Sequence, residues 1–243
     1  TEERLLALKR LYVLLHGAIR SFEATMNLRF RLEKPISTDV EVTMFGSDGK
    51  ATVVLPFNNG TMPPDAEMAE RFRALGAITA EYGGTCDAEP YWRVVHGTTN
   101  DEKERLAQGK VKEVLFEVTD GAQNESTRIG APLLEGVDVN KMVEYMGQQV
   151  SVHWAAMQDT ANARKAVEDL GVIVRGIQIG ANETLSVNER AQFDMLWSAD
   201  KGARVAEPAG IAPAVARMLA EEIRKIEMQM QYQGVDIDEE DEE

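Results

Sequence analysis

Asp120 stands out by its position. It closes the run Val114, Leu115, Phe116 and Val118 within KEVLFEVTDGAQN, residues 112–124, and Gly121 follows it. A short, nearly continuous apolar run suits a strand buried on both faces of a parallel sheet. A carboxylate at the carboxyl end of such a strand, followed by a glycine turn, lies where open α/β sheets place their ligands. An ordinary Asp-Gly turn accounts for the same residues without any chemistry. Other reactive types lack the company they need. His16, His96 and His153 are far apart and carry no metal-ligand spacing. Cys86 has no His or Asn partner motif and reads as a small buried side chain. There is no phosphate-binding glycine loop, nucleophile elbow or histidine pair, so an independent enzyme is the weakest class.

Composition narrows the partners. The formal net charge is −15 over 243 residues, and seven acids fall in the last eight positions, which leaves −8 for the rest. An acidic body argues against binding a nucleic-acid backbone, which needs clustered Lys and Arg. A single cysteine excludes an internal disulfide and fits a reducing compartment. No apolar run approaches the roughly 20 residues that span a bilayer. The opening TEERLLALKR is not a signal peptide. The expectation is a soluble, cytoplasmic protein.

The elements that must position Asp120 follow from periodicity. Leu5, Leu8, Tyr12, Leu15, Ile19 and Phe22 share one face of a helix over 2–24. Residues 40–44 alternate as a half-buried strand, Asp48-Gly49 signals a hairpin turn, and 51–57 return. Helices are predicted over 65–81 and 88–108, the second divided at Pro90 or at Gly97-Thr98-Thr99. After the strand ending at Asp120 comes an irregular loop, 121–138. A helical stretch follows over 139–170, with Asp159 as a candidate cap for a second segment. VIVRGIQI, residues 172–179, is a second buried strand. A short helix over 185–198, a weak edge strand over 203–206 and a terminal helix over 211–231 complete the pattern. Strands alternating with helices predict an α/β sandwich with a mostly parallel sheet, helices on both faces and one antiparallel edge strand from the hairpin. Residues 1–234 form the domain. Residues 235–243 form an acidic tail too polar to bury, expected to be disordered.

Four local patterns, in order, resemble a von Willebrand factor type A (VWA) domain across nearly the whole chain. Tyr82-Gly83-Gly84-Thr85 is similar to the family's GGT segment. Val114 to Gly121 is similar to its strand ending in T-D-G or S-D-G. Residues 163–180, with Leu170-Gly171 and GIQIG, are similar to its helix, L-G-V, strand and I-G-I-G segment. Residues 204–208 and the helix from Ile211 are similar to its last strand and helix. The resemblance implies a Rossmann-type sandwich with a metal-ion-dependent adhesion site, in which Thr85 supplies a hydroxyl and Asp120 a carboxylate. A hard cation wants such oxygen ligands. Mg²⁺ is the implied ion, with Mn²⁺ and Ca²⁺ left open. Asp87, Gly121, Asn124 and Ser126 are the implied surrounding loop or second layer. Asp87 reads equally as a solvated helix N-terminus, and Asn124 and Ser126 as loop polarity. Few charged ligands leave such an ion able to take a carboxylate from a partner protein.

The family's D-x-S-x-S motif occurs nowhere in the 243 residues. It is expected upstream of residue 1, with its strand, or lost. The nearest resemblance is to intracellular VWA domains that work with AAA+ ATPases, such as cobalt and magnesium chelatase subunits and MoxR-associated proteins. The expected function is therefore a protein-interaction module, an adaptor or non-ATPase subunit of a chelatase-like assembly. Its partner would be the ATPase or its client. The alternative is a metal-free structural or assembly protein with a degenerate VWA fold. The oligomeric state stays open.

Overall fold

The computed structural model describes residues 20–28, 38, 40–45, 52–55, 86–121, 154–181 and 183–238, with residues 10, 17, 70 and 73. The described elements are strands β1 (Val42–Met44) and β2 (Thr52–Leu55), helices α1 (Ala88–Gly97) and α2 (Asn100–Ala107), strand β3 (Val114–Thr119), helix α3 (Trp154–Asp169), strand β4 (Ile173–Ile179), helix α4 (Val187–Leu196), strand β5 (Gly202–Val205), and helix α5 (Ile211–Asp238) after a single 3-10 turn.

β3, β4 and β5 form a parallel sheet in that order, with Thr119 opposite Gln178 and Gln178 opposite Arg204. Side chains alternate across its two faces, as strand geometry requires. Leu115 and Val174 pack with Tyr91 of α1, Met157, Ala161 and Val167 of α3, and Phe193 and Leu196 of α4. Phe116, Val118, Ile177, Ile179, Ala203 and Val205 pack instead with Ile211, Val215 and Met218 of α5. The protein is thus α/β, with helices on both faces of a parallel sheet.

Several boundaries differ from expectation, each for a local reason. Among the described strands β4 is the central one. β3 pairs only with β4 among them, which leaves Val114, Leu115, Phe116 and Val118 half-buried. The hairpin strands pair antiparallel with each other and form their own two-stranded sheet. The break between α1 and α2 falls at Thr98-Thr99. Pro90 sits in the first turn of α1, where a missing N–H costs nothing. Thr99 and Glu102 form a capping box, with Glu102 N donating to Thr99 Oγ1 at 3.3 Å and Thr99 N to Glu102 Oε2 at 2.7 Å.

Asp159 does not begin a second helical segment. It lies inside α3, buried, and accepts from Trp92 Nε1 at 2.9 Å. Gly171 ends α3 with φ +89°, a left-handed conformation that glycine adopts without a Cβ clash. Helix persists through residues 25–28, beyond the predicted end at Ala24, and Met26 there is fully buried. α5 runs past Gln231 to Asp238, into the acidic segment. The predicted helix over 65–81 and loop over 121–138 lie largely outside the described residues.

Candidate functional site

The carboxyl end of β3 carries a buried polar group in an otherwise apolar layer. Glu117 and Thr119 share the β3 face that meets α1, because they stand two residues apart. Both are buried, more so than their apolar neighbours on the strand. Tyr91, fully buried one turn into α1, donates its hydroxyl to Glu117 Oε2. Thr119 Oγ1 donates to Asp87 Oδ2 at 3.4 Å and accepts from the Gly121 amide at 3.0 Å. Gly121 has φ +86°, so the chain turns sharply straight after Asp120.

Asp87 occupies the N-cap position of α1, yet its side chain caps no amide of the helix. It is fully buried, which overturns the reading of a solvated helix N-terminus. Burial pushes its carboxyl well above the ordinary value of 3.8; the Glu117 charge, a hydrogen bond with Glu117 and the Asp120 charge add to the shift, against the Thr119 hydrogen bond. Glu117 is also raised, by burial, while Tyr91, Asp87 and the Arg164 charge oppose the shift. Tyr91 is held above its ordinary 10.0 by burial and by Glu117, so it stays a neutral donor. Two acids taken out of water side by side cannot both ionise cheaply. Asp87 Oδ1 and Glu117 Oε1 have no hydrogen-bond donor when both acids are ionised. A single proton held between them would remove one charge and supply a donor.

A second polar group adjoins the first. Gln178, fully buried in β4, donates from Nε2 to the Asp120 and Glu189 carbonyls, at 2.9 Å each. Its Oε1 accepts from Arg204 Nε at 2.6 Å, and Arg204 pairs with Asp194 Oδ1 at 2.6 Å. Ser186 and Glu189 form the capping box that starts α4, with the Glu189 amide donating to Ser186 Oγ at 3.1 Å.

Asp87, Asp120 and Gly121 are therefore brought together around the carboxyl end of β3. Thr85, Asn124 and Ser126 lie outside the described residues, as do His16 and His153. His96 is exposed and stacks on Trp92 at 5.9 Å between ring centroids, a packing role. Cys86 is buried and in no disulfide. Glu117, Tyr91, Gln178 and Arg204 were not singled out from the sequence. Two of them were signalled there: Glu117 is the lone charge in VLFEVT, and Gln178 interrupts VIVRGIQI. A polar side chain in a strand covered on both faces must find partners inside.

The described residues around the site offer oxygen donors: the Asp87 and Asp120 carboxylates, the Thr119 hydroxyl and backbone carbonyls. That donor type suits a hard divalent cation. Among the described residues no three His, Cys, Asp or Glu side chains converge as a metal cage. The set fits such an ion in kind, with hydroxyls or water making up the remainder. No helix among the described residues is long and apolar enough to cross a membrane. No protein-family model matches the chain, and no curated protein matches it by sequence.

Proposed function

We propose that the chain is a protein-interaction module of VWA type, with a divalent-cation site at the carboxyl end of β3 that takes a carboxylate from a partner. One observation carries the reading. A fully buried aspartate, Asp87, with an oxygen that lacks a donor, lies in the electrostatic reach of Asp120 just where the chain turns out of the sheet. Such a pocket is stable only with a proton or a cation in it. Asp120 and Asp87 would hold the ion, with Thr85 completing the set as the VWA resemblance implies, and Mg²⁺ as the first choice. When bound, the ion would supply a Lewis-acidic position for a partner's carboxylate. Binding of this kind breaks no bond, in keeping with a sequence that has no nucleophile motif. The partner class is an AAA+ ATPase or its client, which makes the chain a cytoplasmic adaptor or non-catalytic subunit of a chelatase-like machine.

Isothermal titration of Mg²⁺ and Mn²⁺ into the purified chain tests this. Saturable binding is expected, lost in Asp120→Ala and weakened in Asp87→Asn. A wild-type chain that takes up neither ion sinks the metal-dependent reading. The alternative is a metal-free assembly protein that works through its helical surfaces. Binding of the same partner with equal affinity in chelator and in Mg²⁺ would be its signature.

A further inference from the structure

We infer that Gln178 is the positioning residue of this site: its carboxamide holds the Asp120 peptide and the start of α4 in one arrangement. The inference rests on the reading of the β3 end as a ligand site.

Gln178 stands beside Thr119 in the β3–β4 register, and its side chain is fully buried. Both of its polar atoms are engaged. Nε2 donates to the Asp120 and Glu189 carbonyls, and Oε1 accepts from Arg204 Nε. The amide has one sensible orientation, because a flipped oxygen would face two acceptors. Arg204 fixes that orientation from the other side. It is held in turn by Asp194 and by the Arg190 carbonyl at 3.1 Å. The turn after Asp120 is pressed against this clamp: a Cβ at Gly121 would come within 2.6 Å of Gln178 Nε2 and 2.8 Å of the Glu189 carbonyl oxygen. The Gly121 amide then reaches back to Thr119, whose hydroxyl meets Asp87. One buried amide thus ties β5 and α4 to the peptide that aims Asp120. Groups that orient a metal ligand without touching the metal typically change affinity by about 10- to 100-fold when removed.

The test uses the full chain and four variants: Gln178→Ala, Arg204→Ala, Arg204→Lys and, as a control on the opposite face of the sheet, Glu222→Gln, which breaks the Arg175 pair. Mn²⁺ affinity, the thermal midpoint and hydrogen exchange at the Gly121 amide are measured on each. Gln178→Ala and Arg204→Ala are expected to lose about 10- to 100-fold in Mn²⁺ affinity, with faster exchange at Gly121. Arg204→Lys, which keeps a donor for Oε1, recovers part of both. Glu222→Gln lowers the midpoint but moves neither readout. Should Gln178→Ala destroy folding, the half-exposed Arg204 pair carries the test alone. Unchanged affinity and unchanged Gly121 exchange in both alanine variants overturn the inference, as does an equal effect from Glu222→Gln. If the wild-type chain binds no Mn²⁺, the ligand-site reading falls with the positioning role. Exchange at Gly121 then reports separately whether the clamp holds the turn.

Discussion

Asp87→Asn should gain stability over the wild type as the pH rises above 3.8 to 4.5, the ordinary values of Asp87 and Glu117, because the contribution of that buried pair is lost as the pH climbs. Asp87 and Glu117 are both raised in the folded state, so between the ordinary and the raised values the folded chain holds more protons than the unfolded one. The contribution of the pair is fully present below the ordinary values and falls as the pH climbs through the raised ones. Each extra proton held costs about 1.4 kcal/mol per pH unit across that window. Other acids complicate the absolute curve. Glu113, raised by burial and by the Glu102 and Glu41 charges, adds to the loss, whereas Glu102 and Asp200 are lowered by hydrogen bonds and act in the opposite sense at lower pH. The difference between wild type and Asp87→Asn cancels these terms. The asparagine amide keeps the shape and can donate to Glu117 at any pH. Urea midpoints measured in chelator from pH 4 to 8 should converge at the acid end and separate toward neutrality, with the variant the more stable. Parallel curves would mean that Asp87 and Glu117 do not share a proton.

Gly176→Ala should cost about 3 kcal/mol or more, at the upper end for overpacking a core. Gly176 is the middle residue of β4, and a Cβ there would lie 2.3 Å and 2.4 Å from two ring carbons of Trp197 and 2.8 Å from its indole nitrogen. The ring cannot retreat. Trp197 is buried, the Arg164 guanidinium covers it at 4.8 Å from the centroid, and Phe193 packs at 6.2 Å. Arg164 is itself anchored to the Leu196 carbonyl. The glycine therefore serves a close approach, and its φ is not in the left-handed region. A double-mutant cycle with Trp197→Leu isolates the cause. The alanine should cost far less in the leucine background, with a coupling on the order of 1–3 kcal/mol in urea unfolding. Additive costs would put the strain elsewhere.

Both effects arise from the layer of side chains between the sheet and helices α1, α3 and α4. The proposed function uses the same layer. Asp120 is half-buried where the sheet ends. Asp87 is held inward because Tyr91, Glu117 and Thr119 close around it. Arg164 opposes the upward shift of Glu117 from within the layer, while on the opposite face Arg175 pairs with Glu222.

Periodicity along the chain was enough for the α/β class, for β4 and β5, and for the helix that starts at Ile211. Each is a local pattern, a run of two or an apolar face of 3.6, that burial on one sheet rewards directly. Asp120 and Gly121 were legible for the same reason, since a strand that stops in Asp-Gly marks its own end. Sequence spacing could not show that β4 rather than β3 is central among the described strands, because strand order depends on which crossovers pack. Nor could it show that Glu117, thirty residues from Asp87, is buried within its electrostatic reach, that Gln178 reaches the Asp120 carbonyl fifty-eight positions away, or that Gly176 makes room for Trp197. Those pairings exist only once the sheet has stacked its strands in register. They are enforced because a polar group or a void inside that stack is costly, and the chain must bring distant residues together to remove it.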